Sequence, residues 1–133
     1  MAYATSATLL LSAAESFSAP ATRSAYFDLY SPDAVLHGYP GVEPGIESIR
    51  NFYAGLWSAF PDAELTIEDT VEAGDKLAAR FTLRATHRGE FMGVAATNRR
   101  VTATGITILR FQNGRCVERW SEANFLALLQ QIS

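Results

Sequence analysis

The sequence predicts a single α+β domain over residues 1–133, in which helices pack on an antiparallel sheet. Three observations lead to this prediction. Apolar residues recur at helical spacing in the first half of the chain, the period changes to two after Pro61, and turn signals then separate the strands. A length of 133 residues and a hydrophobic content of 48% fit one domain with its own core.

Charge and cysteine content disfavour several classes of protein. The net charge is −3, from 14 acidic and 11 basic side chains, whereas nucleic-acid-binding domains are usually basic. Cys116 is the single cysteine, so no intrachain disulfide can form. No apolar run reaches the roughly 18 residues that span a bilayer, and no positive charge precedes the apolar stretch near the N-terminus, unlike in a signal peptide. We therefore expect a cytoplasmic protein with no nucleic-acid or membrane partner.

The first half of the chain predicts three helices and one short strand. Apolar residues in Leu9–Phe17 recur every three to four positions, and Pro20 is suited to the first turn of a second helix that ends near residue 30. A turn then leads into a strand over Ala34–Tyr39. The clearest helix is Ile46–Phe60, which carries one continuous apolar stripe and ends before a proline.

The second half predicts four strands in a meander. Gly74-Asp75 forms one turn, and Asn113-Gly114 is the strongest hairpin signal in the chain. The third of these strands is apolar on both faces, which indicates a central position in the sheet. The predicted strands are Glu64–Ala73, Leu77–Arg88, Val101–Phe111 and Val117–Ala123, and a short C-terminal helix begins near Phe125.

Two polar side chains fall on faces that are otherwise apolar. Asp69 lies between Ile67 and Val71 at the strand period, and His87 ends a face of five apolar residues. A carboxylate in an apolar setting must find a partner or shift its pKa upward, and such shifts produce general acids and bases. We therefore predict Asp69 and His87 as catalytic residues. The alternatives are that Asp69 caps a neighbour or pairs with an arginine, and that His87 is a hydrogen-bonded core histidine.

Other candidates are weaker on the residues alone. His37 shares a predicted face with Val35 and Tyr39, and Trp120 shares one with acidic residues that could equally face solvent. Tyr26 and Tyr53 could be packing residues or hydroxyl donors, since a buried phenol needs a partner. With only two histidines, a histidine-rich metal site is excluded, and we expect no metal.

Short motifs along the chain resemble, in order and spacing, those of one protein family. The segment Thr86–Gly93 is the clearest, and Asn98–Val101 and Val117–Trp120 follow it at the right distances. Over roughly residues 20–133 the chain thereby resembles the SnoaL-like polyketide cyclases, also called ester cyclases. Further matching segments are Tyr30–His37, Phe60–Asp62, Gly105-Ile106, Arg110-Phe111, Asn113–Arg115 and Leu128–Ile132.

This resemblance implies a fold, an activity and an assembly. The fold is the cone-shaped barrel of the nuclear-transport-factor-2-like (NTF2-like) superfamily, with three N-terminal helices on a curved antiparallel sheet around an apolar pocket. Characterised relatives are enzymes of the lyase or isomerase type that close polyketide rings by an intramolecular aldol reaction, without cofactor or metal. A small apolar molecule as ligand and a homodimer formed through the outer sheet face are the implied partners.

One departure from the family concerns the chemistry. The acid/base aspartate of the family lies four residues after the tryptophan, and Asn124 occupies that position here. An amide cannot act as a base but can donate a hydrogen bond to an oxyanion. We predict Asn124 as a third catalytic residue, with Asp69 or His87 as the proton shuttle. The predicted substrate contacts are His37, Tyr26, Tyr53, Trp120 and Phe91.

Two alternative functions follow from the same departure. Loss of the aspartate could leave a binding protein whose apolar ligand stays chemically unaltered. Alternatively, the fold could support epoxide hydrolysis or isomerisation, in which a carboxylate such as Asp69 holds a water molecule.

Overall fold

A computed structural model describes residues 5–133 of the chain and confirms the α+β class. Its helices are α1, a 3-10 helix, α2 and α3, and its strands are β1 to β5. No helix within the described range is long and apolar enough to cross a bilayer. In chain order the elements are α1 (Ser6–Ser18), the 3-10 helix (Pro20–Leu29), β1 (Tyr30–His37), α2 (Ile46–Ala59), β2 (Glu64–Ala73), β3 (Lys76–Thr86), β4 (Arg100–Gln112), β5 (Arg115–Ala123) and α3 (Phe125–Ile132).

The five strands form one curled sheet that does not close into a barrel. Their order is β1-β5-β4-β3-β2, so β1 and β2 are the two edges. The meander from β2 to β5 is antiparallel, as predicted, but β1 pairs with β5 in parallel. The β1–β5 pair is therefore the one place where the sheet differs from the predicted antiparallel arrangement. The reason is that β1 pairs with a strand from the far end of the chain, and a local pattern does not encode the direction of such a pair.

The helices cover the concave face of the sheet. Helix α1 buries Leu10, Ala13, Ala14 and Phe17, which follow the predicted stripe. The second helix lies over the predicted range but winds as a 3-10 helix, so Tyr26 and Leu29, three residues apart, share its buried side. Their side chains join those of α2 and the sheet in one hydrophobic core.

Strand β1 begins earlier than the sequence pattern suggests. Ser31-Pro32-Asp33, expected as a turn, lies inside the strand, where the register with β5 is irregular between Tyr30 and Val35. Proline has no amide hydrogen to donate, so it is tolerated at a bulge on an edge strand. The strand ends at His37 and is followed by Gly38, whose φ of +86° few other residues adopt.

A bulge in β2 changes which residues face the core. Ile67 pairs with Phe81 but Asp69 pairs with Arg80, so Glu68 is an extra residue in the ladder. One extra residue reverses the faces of everything that follows it. Consequently Asp69 is exposed and Val71 is 66% exposed. The prediction that both share the inward face of Leu65 and Ile67 is wrong.

Candidate functional site

An apolar cavity lies between the helices and the sheet. Its volume is about 80 Å³, and it is partly open to solvent. Most of its wall is apolar or aromatic, and a short polar stretch comes from β5 and the tyrosines that face it. The lining residues include Phe17, Phe52, Leu56, Leu65, Phe81, Leu83, Phe125 and Leu128 on the apolar side, and Tyr26, Tyr39, Tyr53, Arg119 and Ser121 on the polar side.

Arg119 is the centre of the polar wall. It lies on the inward face of β5 and is only 4% exposed. Its Nη1 donates to the hydroxyl oxygens of Tyr30 at 2.7 Å and Tyr26 at 3.1 Å, and its Nε donates to Thr107 Oγ1 at 2.9 Å. An arginine this deeply buried is rare unless its charge is balanced.

A chain of hydroxyl groups runs from Arg119 to Tyr53. The Tyr26 hydroxyl accepts from the guanidinium and donates its single hydrogen to the Tyr53 hydroxyl at 2.8 Å, so it must also accept from Tyr30 across their 2.7 Å contact. Among the described residues, the other hydroxyl in hydrogen-bond contact with that of Tyr53 is the Tyr30 hydroxyl, at a long 3.4 Å, so it is a weak acceptor for the Tyr53 hydrogen. The hydrogen of the Tyr53 hydroxyl is therefore the one best placed to reach a ligand in the cavity.

A second chain of hydroxyl groups ends on the backbone instead. Thr107 donates to the carbonyl of Trp120 at 3.0 Å, so Ser121 must donate to Thr107 across their 2.8 Å contact. Tyr39 then donates to Ser121 at 2.9 Å. The Tyr39 hydrogen is thus committed to Ser121, in contrast to that of Tyr53.

The protonation states follow from burial. Desolvation raises the pKa of Tyr26, Tyr30, Tyr39 and Tyr53, and the nearby charge of Arg119 lowers these values only in part. Desolvation would lower the pKa of Arg119, but the surrounding phenol oxygens favour its charged form and the net pKa lies above the ordinary value. At neutral pH the wall therefore consists of neutral phenols and one cation.

The charge of Arg119 has no carboxylate partner among the described residues. The ion pairs that the structure contains join His37 to Glu118, Arg100 to Asp62 and Arg110 to Glu118. The ring of Tyr39 lies 5.9 Å from the guanidinium carbon and gives partial compensation. Within the described range no carboxylate or imidazole lines the cavity.

Of the eight predicted site residues, the structure places Tyr26 and Tyr53 at the cavity and the other six elsewhere. Asp69 is exposed beyond the β2 bulge, where one carboxylate oxygen accepts from the Thr70 amide at 2.9 Å. A catalytic role for Asp69 stays a prediction, without support from its position.

His87 and Phe91 belong to the region beyond β3. His87 is fully buried, and its Nδ1 accepts from the Thr97 amide at 3.2 Å, which assigns the ring hydrogen to Nε2. Its ring lies 5.6 Å from that of Phe60, which also contacts Phe91 at 5.0 Å. Within the described residues Nε2 has no partner. Here His87 anchors the loop between β3 and β4 rather than lining the cavity.

His37 and Trp120 meet on the outer face of the sheet. Their rings stack at 5.4 Å, and His37 Nε2 lies 2.8 Å from Glu118 Oε2. The predicted faces of β1 and β5 were thus reversed, because Ala34 and Leu36 on β1, and Arg119 on β5, are the residues that turn inward.

Asn124 caps helix α3. Its Oδ1 accepts from the Ala127 amide at 3.0 Å, and its side chain is exposed beside a shallow surface depression that Arg80 and Glu122 also line. This is the usual role of an asparagine that precedes a helix.

Sequence reasoning missed Arg119, Tyr39 and Ser121. A signal existed on β5, where Glu118, Trp120 and Glu122 alternate with Arg119, Ser121 and Ala123. Two carboxylates on one face favour solvent for that face, which leaves Arg119 inward. Because arginine is so seldom buried, this alternation by itself does not predict that Arg119 faces the cavity.

Among residues 5–133 no group of three or more histidine, cysteine, aspartate or glutamate side chains is close enough to hold an ion. Cys116 is buried, and desolvation raises the pKa of its thiol to about 11, so it is not an activated nucleophile.

Comparison with known proteins relates the chain to one family. The model of the family described as SnoaL-like polyketide cyclase matches residues 9–132. AclR from Streptomyces galilaeus, a candidate hydroxylase, is 31% identical with a TM-score of 0.83, and the match covers 96% of this chain and 94% of AclR. IdmH from Streptomyces antibioticus, a candidate polyketide cyclase, is 30% identical with a TM-score of 0.82, covering 96% and 98%.

A third structure supports the fold. A candidate SnoaL-like polyketide cyclase from Jannaschia sp. CCS1 is 23% identical with a TM-score of 0.82, and the match covers 96% of this chain and 91% of that one. No curated protein matches the chain.

Proposed function

The chain belongs to the SnoaL-like polyketide cyclase family, and from this premise we propose that it is a cofactor-independent enzyme that closes a ring by aldol-type chemistry. Its substrate is a small, apolar, oxygenated molecule of polyketide type. The observation that supports this proposal is an apolar cavity with neutral phenols and a buried cation on one wall. Fixed donors in a water-poor cavity are suited to stabilise an oxygen that becomes negative during the reaction.

Tyr53 is the proposed donor to the reacting carbonyl oxygen. The Arg119 charge polarises the Tyr26 hydroxyl, which donates to Tyr53. The hydrogen of the Tyr53 hydroxyl then remains available to a ligand in the cavity. When the new carbon–carbon bond forms, the electron pair of the attacked C=O moves to its oxygen. That oxygen takes the Tyr53 proton, and the phenolate so formed is reprotonated from solvent.

Removal of the substrate proton requires a separate acceptor. In the described residues neither a carboxylate nor an imidazole lines the cavity, so the proton leaves to water at the open side. A methylene group between two carbonyls is acidic enough for this step when the enolate oxygen receives hydrogen bonds. We therefore propose a 1,3-dicarbonyl unit in the substrate.

The proposal is tested with an aromatic polyketide ester that carries such a unit, with the product followed by chromatography and mass spectrometry. Ring closure leaves the mass unchanged or removes one water, whereas hydroxylation would add one oxygen atom. Tyr53→Phe should lower kcat roughly a hundredfold, the typical loss of one oxyanion donor. The control variant Glu72→Gln, which neutralises an exposed carboxylate on β2, should retain full turnover. Full turnover by Tyr53→Phe would contradict the proposed role.

A second candidate function is a binding protein that leaves its ligand unaltered. The observation that favours it is the same lack of a base along the described cavity wall. Native mass spectrometry of protein purified from cells distinguishes the two functions, because a binding protein retains a ligand that reappears chemically unchanged after release.

A further inference from the structure

One nitrogen of the buried guanidinium is unused by the protein. Nε and Nη1 of Arg119 donate to Thr107, Tyr26 and Tyr30, whereas Nη2 donates to no residue in the described range. Arg119 is nevertheless 96% buried and lines the cavity. Two N–H donors of a cation are thus available at the cavity wall.

The charge of Arg119 also lacks an anionic partner among the described residues. Burial of a cation is costly unless an anion balances it. The groups that face Arg119 are the phenols of four tyrosines, which are neutral at neutral pH, and the hydroxyl of Thr107. The neighbouring carboxylate on β5, Glu118, points to the outer face, where it pairs with Arg110. The protein therefore supplies hydrogen-bond acceptors but no negative charge.

We infer that the ligand of this cavity enters as an anion, and that a carboxylate of the ligand pairs with Nη2 of Arg119. Guanidinium groups bind carboxylates with matched planar geometry. Apart from the tyrosine hydroxyls and Ser121, the remaining wall is apolar, so the ligand combines one carboxylate with an apolar body, and a strongly hydrated inorganic anion does not fit these walls.

This inference rests on the proposed function in one respect, since both place the ligand in the same cavity. The two use different atoms of Arg119. Nη1 supports the hydroxyl chain that ends at Tyr53, and Nη2 holds the carboxylate at a second point of the same molecule. Two fixed points would orient a flexible chain before ring closure.

The experiment measures binding of 2-naphthoate and of its neutral isostere 2-naphthamide by isothermal titration calorimetry at pH 7. The wild-type protein should bind the carboxylate at least about tenfold more tightly, because only the carboxylate neutralises the buried cation. Arg119→Gln should abolish this preference. The matched control Arg110→Gln, which removes an arginine on the outer face of the neighbouring strand, should retain it.

Each outcome supports or overturns the inference. Equal or tighter binding of the amide by the wild-type protein overturns it, and so does the absence of binding by either compound. The wild-type comparison remains decisive if Arg119→Gln fails to fold. The proposed ring closure is judged separately, by turnover of a polyketide ester in Tyr53→Phe, so it could stand after the anionic ligand has been ruled out.

Discussion

At the scale of single residues, the charged guanidinium of Arg119 depends on the oxygens that surround it. Tyr30 accepts the shortest of its hydrogen bonds, at 2.7 Å. Tyr30→Phe should lower the free energy of unfolding by about 1.5–3 kcal/mol, because a hydrogen bond to a charged group is lost inside the protein. Urea denaturation followed by circular dichroism measures this loss.

The matched control for this prediction is Tyr39→Phe. It also deletes a buried hydroxyl, but the partner of that hydroxyl is the neutral Ser121. Its expected cost is about 1 kcal/mol. Equal losses in the two variants would show that the charge of Arg119 does not depend on Tyr30.

A second prediction at the residue scale concerns the helix-capping side chain of Asn124. Asn124→Asp should fold as stably as the wild type, because a carboxylate caps a helix as well as an amide does. It should not raise turnover, since the side chain at this position binds the Ala127 amide rather than facing the cavity. Denaturation and a turnover assay check both parts, and Asn124→Ala should cost about 0.5–2 kcal/mol as the capping control. A gain of activity in Asn124→Asp would mean that the side chain reaches the substrate.

The candidate site was only partly predictable from its residues. Tyr26 and Tyr53 were named because aromatic residues on helical stripes face the core, and both line the cavity. Arg119 was missed because a charged side chain is expected in solvent unless its partners are known. Its two tyrosine partners, Tyr26 and Tyr30, lie more than eighty positions away in the chain, so no local pattern indicates them.

At the scale of elements, the junction of β1 and β5 depends on Gly38. A Cβ atom at this position would overlap the Ser121 carbonyl oxygen, and φ is +86°. Gly38→Ala should therefore cost about 3 kcal/mol or more, because both the backbone strain and the overlap with backbone atoms must be relieved. Gly74→Ala is the control, since its φ is also positive but nothing lies within 4 Å of the added Cβ. Its expected cost is about 1 kcal/mol, and equal costs in the two variants would contradict the close approach.

Asp62 connects the turn after α2 to the end of β3. Its carboxylate accepts from the Thr86 amide and hydroxyl, each at 2.7 Å, and pairs with Arg100 at 3.0 Å. Desolvation alone would raise the pKa of Asp62, but these hydrogen bonds and the Arg100 charge outweigh it, so the net pKa lies below the ordinary value of 3.8. A carboxyl whose pKa is lowered in the folded state stabilises the protein above its unfolded pKa, and this contribution is lost as the pH falls through the folded value.

Asp62→Asn should therefore flatten the acid side of the stability profile. The wild type should lose stability as the pH falls below about 4, and the variant should lose less over the same range. The free energy of unfolding, measured by urea denaturation at several pH values, checks this. Parallel profiles would show that Asp62 does not contribute.

The strands show how far the alternation of polar and apolar residues predicts their bounds and their faces. The bounds of β2 agree with the prediction because Glu64–Ala73 alternates cleanly between two turns. The faces assigned to the residues after Ile67 were wrong, because a bulge shifts the register and nothing in the composition of the strand indicates it. A bulge forms where the neighbouring strand and the curvature of the sheet require it, and that information lies outside the strand.

At the scale of the whole molecule, the outer face of the sheet carries solvent-exposed apolar side chains. Ile106 is 57% exposed and Ile108 is 39% exposed, next to the stacked rings of Trp120 and His37. Exposed apolar groups that cluster in this way mark contact surfaces. We propose that two copies of the chain associate through this face.

Size-exclusion chromatography with light scattering should find a dimer for the wild type. Ile108→Glu should give a monomer, because it places a charge in the proposed contact. Val71→Glu is the control, since Val71 is also exposed but lies on the edge strand β2, and it should remain dimeric. A monomeric wild type would refute the proposal.

The sequence alone determined the α+β class, the order of the elements and, through spaced motifs, the resemblance to the family that the comparisons then confirmed. These depend on local periodicity, turn chemistry and the order of short segments, all of which can be read along the chain. The tertiary structure decided the direction of the β1–β5 pair, the faces beyond the β2 bulge and the position of Arg119 in the cavity. Each depends on contacts between residues far apart in the chain. Whether a charge is buried or exposed is therefore decided by the partners that folding brings to it.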